Sequence, residues 1–103
     1  MNMNTSPISL LKDPTLLKTD ALINGQWITG IARFDVLDPA TGLKLADVAD
    51  LGAQSATDAI DAANAAWPAW RKKTGKERHA ILMKWFALLM ANQDDLARIM
   101  TAE

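Results

Sequence analysis

Chemistry needs nucleophiles, proton carriers or ligands at a workable spacing, and this sequence offers few. Its 103 residues include no cysteine, which removes thiol nucleophiles, thiolate metal sites and disulfides. The one histidine, His79, follows Arg78 and has no acid three or four positions on to orient its ring, so it reads as a solvated helical side chain. Asp94-Asp95 is an acidic pair, but adjacent helical residues point about 100° apart, so capping and solvation explain it better than a shared proton or metal. Arg71-Lys72-Lys73, with Lys76 and Arg78, has the charge to meet a phosphate or an acidic surface, yet a solvated connector is the plainer reading. Four tryptophans suit base or sugar stacking. Three of them fall on apolar helical faces, which favours core packing. The five glycines are scattered, and none forms the closely spaced loop that cradles a phosphate.

Charge and composition narrow the field further. Eleven Lys and Arg stand against 12 Asp and Glu, too even a balance to draw the chain to nucleic acid or an anionic membrane. No window approaches the roughly 20 apolar residues of a membrane span. Half of the residues are apolar, enough for a real core in a chain of this length. Absence of cysteine fits a reducing, cytoplasmic setting.

The elements that would position any site follow from local pattern. Residues 1–20 read as a mobile, partly helical arm, because Lys12, Asp13 and Pro14 break up the pairs Leu10-Leu11 and Leu16-Leu17. Asn24-Gly25, between short apolar pairs, predicts a tight hairpin with a type I′ turn over Ala21 to Ile28. Phe34 to Leu37 reads as a strand closed by the turn Asp38-Pro39-Ala40-Thr41-Gly42, and Leu43 to Val48 as a weaker one. From Gly52 the period becomes helical, with Ile60, Ala63, Trp67 and Trp70 on one face, Ser55 as N-cap partnered by Asp58, and an end near Trp67 before Pro68. Thr74-Gly75-Lys76-Glu77 matches a capping box and starts a helix to about Ala91. Its apolar residues, including Ile81, Trp85, Phe86 and Leu89, cover more of its girth than a surface helix needs. Asn92, with Asp95 at the third helical position, caps a third helix through Ile99 and Met100. That last helix reads as cut in mid-course, because no C-capping residue follows Met100.

Order and spacing then carry a resemblance. Leu22-Ile23-Asn24-Gly25-Gln26-Trp27, Asp38-Pro39-Ala40-Thr41-Gly42, and Ala59-Ile60-Asp61-Ala62-Ala63 with Pro68-Ala69-Trp70-Arg71 resemble the start of NAD(P)-dependent aldehyde dehydrogenases. Lys76-Glu77-Arg78, Ile81-Leu82, Trp85-Phe86, Met90 and Gln93-Asp94-Asp95-Leu96-Ala97-Arg98 are most similar to the bacterial succinate-semialdehyde dehydrogenase branch. The resemblance runs from about Ala21 to Glu103. It implies an α/β parent with a Rossmann-like cofactor domain, of which residues 21–103 form the N-terminal portion, truncated at its C-terminal end. Alone, the chain is expected to be α+β, a hairpin and short strands followed by about three helices. The implied parent is a homo-oligomer that oxidises succinate semialdehyde or a related small aldehyde to the acid with NAD or NADP. Neither nucleic acid nor membrane is an expected partner.

By the same resemblance the catalytic and cofactor-binding residues lie outside this sequence, so no catalytic residue is assigned here, no cofactor is expected to bind the chain alone, and it should be inactive alone. One carry-over remains, a monovalent cation held by the carbonyls of Val36 and Leu37 and the side chain of Glu103. A strand end and a solvated glutamate explain the same residues without an ion. The alternative class of function is a noncatalytic interaction fragment that binds a full-length paralogue through its exposed helix faces.

Overall fold

Asn24 and Gly25 hold φ angles of 51° and 73°, the positive pair that a type I′ turn requires. Ala21–Ile23 (β1) therefore folds back on Gln26–Ile28 (β2), with Leu22 opposite Trp27, as the dipeptide predicts. These coordinates are a computed structural model that describes residues 6–103; residues 1–5 of the expected arm lie outside the described residues. The rest of the arm is partly helical, as two short 3-10 turns at Pro7–Leu10 and Pro14–Leu16 capped by Ser6 and Asp13.

Ala32–Leu37 (β3) and Lys44–Asp50 (β4) pair antiparallel as a second two-stranded sheet, each longer than the expected strands. Asp38 shapes the connection. Its carboxylate accepts the Ala40 N–H at 2.7 Å, while its carbonyl accepts the Gly42 N–H at 2.7 Å. The register slips between the pairs Val36–Ala46 and Leu37–Lys44, so Leu45 forms a bulge. Before β3, Gly30 sits at φ 71°, and a Cβ there would collide with the Leu51 side chain. Glycine takes that left-handed backbone without strain, and a larger residue would also force the Leu51 side chain to shift.

Three helices complete the chain: Ala53–Lys72 (α1), Gly75–Ala91 (α2) and Gln93–Ala102 (α3). Together with the strands they make the expected α+β arrangement. The Thr74 capping box is present, with Glu77 N–H donating to Thr74 Oγ1 at 3.1 Å and Thr74 N–H to Glu77 Oε1 at 3.3 Å.

Helix α1 differs from expectation in three ways. It starts one turn early, with Gly52 rather than Ser55 at the N-cap, and Asp58 accepts from the Gln54 amide instead of serving a cap. It also runs through Pro68 to Lys72. Proline forfeits one helical hydrogen bond, but the alanines around it cost nothing in helix propensity, and Arg71 and Lys72 favour the negative helix end. Finally, the face toward the β1–β2 hairpin carries the small Ser55, Ala59, Ala62 and Ala63, so of the expected face Ala63 is there while Ile60 and Trp67 stay exposed. Small side chains let the hairpin lie close.

The apolar helix faces stay largely uncovered within these residues. Across dimensions of 54 × 34 × 18 Å, Ala102 is the single buried hydrophobic residue among those described. Trp27, Trp67 and Trp85 are each about half exposed, and the wide apolar face of α2 contains no buried residue. Two-stranded sheets offer too little area to cover three amphipathic helices.

Candidate functional site

Three elements that share no regular hydrogen-bonding ladder meet at one seam: the N-terminal arm, the β3–β4 hairpin and the end of α3. A small cavity of about 30 Å³ lies there, lined by Ile8, Leu17 and Thr19 from the arm, Val36 and Ala46 from the hairpin, and Glu103. Of the three residues proposed to hold a cation, the fold thus gathers Val36 and Glu103 at one cavity. Leu37 is not among its lining residues and is 53 % exposed. The bulge beside Val36 and Leu37 interrupts the strand ladder where the two carbonyls would act. The space suits a single water-sized particle. Lys18 lines it too, but its ammonium lies over the Trp27 ring.

Asp95 holds the seam together. Expected to be solvated or capping, it is instead only 4 % exposed. Its carboxylate accepts backbone N–H groups from Lys12 and Asp13, each at 2.9 Å, and a third hydrogen bond from Arg98 Nη1 at 2.9 Å. An anion taken out of water needs such compensation. The Lys12 and Asp13 amides, in that order, hold its carboxyl below the ordinary range, with Arg98 adding to the effect. Asn92 stands at the N-cap of α3 as expected, but its side chain makes no cap bond there: its amide donates back to the Leu88 carbonyl at 2.9 Å and closes α2.

A second polar junction joins the two hairpins to the arm. Arg33 on β3 donates to Asp47 at 2.6 Å and to Asp20 at 3.0 Å, and also to the carbonyls of Thr29, Thr19 and Asp47. The Asp47 contact, then Asp20, raises the guanidinium pKa, and the same bond from Arg33 lowers that of Asp47. Little in the local sequence marks Arg33 or Asp95, because apart from Arg98 the partners of Asp95 and most of those of Arg33 lie on distant segments, and several are plain backbone groups.

The other motifs stay apart from this seam. His79 lies exposed on α2, Arg71 and Lys72 form the solvated last turn of α1, and Asp94 points to solvent. Among the described residues, no group of three or more His, Asp or Glu side chains gathers as a metal cluster would, and no helix is long and apolar enough to cross a membrane.

Comparison with known proteins gives this scaffold its kin. The chain is 53 % identical over 95 residues to the NADP(+) succinate-semialdehyde dehydrogenase GabD of Escherichia coli, which covers 90 % of the chain and 20 % of that enzyme. It is 47 % identical over 95 residues to 3-sulfolactaldehyde dehydrogenase of Pseudomonas putida, with the same two coverages of 90 % and 20 %. The crystal structure of succinate-semialdehyde dehydrogenase from Burkholderia pseudomallei superposes with a TM-score of 0.85 at 52 % identity, covering 89 % of this chain and 20 % of that one. The chain thus spans about a fifth of the length of the relatives it matches. With residues 27–103 matching the aldehyde dehydrogenase family, the chain belongs to that family.

Proposed function

We propose that this chain is the scaffold at the amino-terminal side of the cofactor-binding domain in an NAD(P)-dependent aldehyde dehydrogenase acting on succinate semialdehyde or a related small aldehyde. The observation that carries the reading is the high identity to such enzymes along about 90 % of the chain. The two relatives named above act on aldehydes that carry an acidic group, which sets the substrate class. In the whole enzyme a cysteine thiolate would attack the aldehyde carbon and water would release the acid, with bound NAD(P)+ supplying the hydride acceptor. This sequence has no cysteine, so its part is to hold the framework on which those groups stand.

The α2 face supports the same reading, since a helix apolar around most of its girth needs a partner. Fragment complementation tests it. The chain is co-expressed with the Escherichia coli relative lacking its matching fifth, and reduced cofactor is followed with succinate semialdehyde or 3-sulfolactaldehyde. Activity is expected only when both pieces are present. Activity from the chain alone, or an inert pair that nevertheless associates, refutes the scaffold role. Capture of an intact relative without any gain in activity favours the interaction fragment.

Within that scaffold Val36, Leu37 and Glu103 offer the oxygen ligands that a hard monovalent cation prefers. The shared cavity at Val36 and Glu103 supports this site. It is tested by comparing thermal melts in sodium, potassium and tetramethylammonium chloride at equal ionic strength. A difference between the salts that Glu103→Gln abolishes is expected; identical melts count against an ion.

A further inference from the structure

Residues 6–18 are fastened to the rest of the fold in an uneven way. At the far end, Thr19 is built into the hairpin: its carbonyl accepts the Ala49 N–H at 2.9 Å and an Arg33 N–H at 3.4 Å. Asp20 follows, bound to Arg33. Before Thr19, the described hydrogen bonds run almost entirely within the segment, with Ile8 and Ser9 donating to Ser6 and Thr15 to Asp13. The two that leave it both end on one carboxylate, that of Asp95. The remaining polar attachment is the Lys18 ammonium, 5.1 Å from the centre of the Trp27 ring.

We propose that residues 6–18 are a strap closing the cavity at the hairpin–α3 seam, hinged at Thr19 and latched by Asp95. The strap supplies Ile8 and Leu17 to the cavity wall, so its release uncovers Val36 and Ala46 on the floor. The latch works by geometry: two successive N–H groups converge on the two oxygens of one carboxylate. An ionised aspartate offers acceptors only, which suits two backbone donors and the Arg98 guanidinium at once. Asparagine has nearly the same shape but puts an N–H₂ donor where an acceptor is needed, leaving donors opposed. Seating of the strap does not require that a cation occupy the cavity.

The test uses the whole chain with two readouts. Backbone hydrogen exchange reports the strap itself. A single Ala46→Cys substitution reports the cavity, since the sequence has no other thiol to label. Asp95→Asn is expected to raise exchange across residues 6–18 and to speed labelling of Cys at position 46 each by about tenfold or more, the scale set by losing hydrogen bonds to a charged group. Exchange in α1 and α2 stays unchanged, and the exposed neighbour substitution Asp94→Asn changes neither readout. Strap exchange within roughly twofold of the parent overturns the latch, as does a freed strap with unchanged labelling. Loss of protection spreading through β3, β4 and α3 also overturns it, because Asp95 would then hold up the fold rather than fasten one segment.

Discussion

Lys12 donates its backbone N–H to Asp95 Oδ1 at 2.9 Å across 83 positions of sequence. Asp13 donates to the other oxygen at the same distance. The pair of bonds fixes a pH dependence. Because they favour the ionised form, the folded Asp95 carboxyl titrates below its ordinary value of 3.8. Its contribution to stability is therefore full above that value and is lost as pH falls through the lower, folded one. Urea midpoints of the parent and of Asp95→Asn should differ at neutral pH and converge in acid. A gap that does not shrink at all as pH falls below the ordinary carboxylate value contradicts the assignment.

The capping box at α2 makes a plainer prediction. Thr74→Ala removes the acceptor for the Glu77 N–H, a bond of 3.1 Å, and should cost about 1 kcal/mol of helix stability. Thr74→Ser keeps the oxygen and should cost less. Helix content followed by far-ultraviolet circular dichroism through a urea titration measures both.

Gly30 is costly to replace for two reasons. Alanine there meets the Leu51 side chain and occupies a left-handed φ of 71°. Gly30→Ala should destabilise by about 1–2 kcal/mol or more. Gly25→Ala tests the separation of the two causes, since its φ of 73° is similar but open space surrounds it. Equal losses at both positions would show that the Leu51 contact contributes nothing.

Local chemistry was legible where both partners of an interaction sit within a few residues. Asn24-Gly25, Thr74 with Glu77, and the Asp38 turn each announce their own geometry. Asp95 and Arg33 do not, because a backbone N–H or carbonyl has no residue signature and most of their partners lie in other segments. The α1 boundaries were misread by giving Pro68 and Ser55 more weight than the alanine-rich run around them. At the candidate cation site, Val36 and Glu103 were placed through family resemblance, whereas the arm that walls them carries no pattern that foretells it. Periodicity shows which face is apolar and says nothing of what covers it, and in this chain little does.

That gap between apolarity and burial gives the last prediction, centred on Trp85. On α2 it stands between Ile81 and Leu89 at helical spacing, the pattern of a core residue, yet in this chain it is 59 % exposed. Truncating an exposed side chain changes stability by about 0.5 kcal/mol or less, whereas truncating a buried aromatic costs about 3–5 kcal/mol. Trp85→Ala should therefore barely alter this chain but should strongly destabilise a full-length relative carrying the matching change. With so little apolar surface covered, the isolated chain should also show strong far-ultraviolet helix signal and binding of hydrophobic dyes. Its exposed faces should promote association as concentration rises. A sharp thermal transition in a monomer, with Trp85→Ala costing several kcal/mol in the chain itself, would mean that α2 finds its cover within these residues and that the scaffold reading of its apolar face fails.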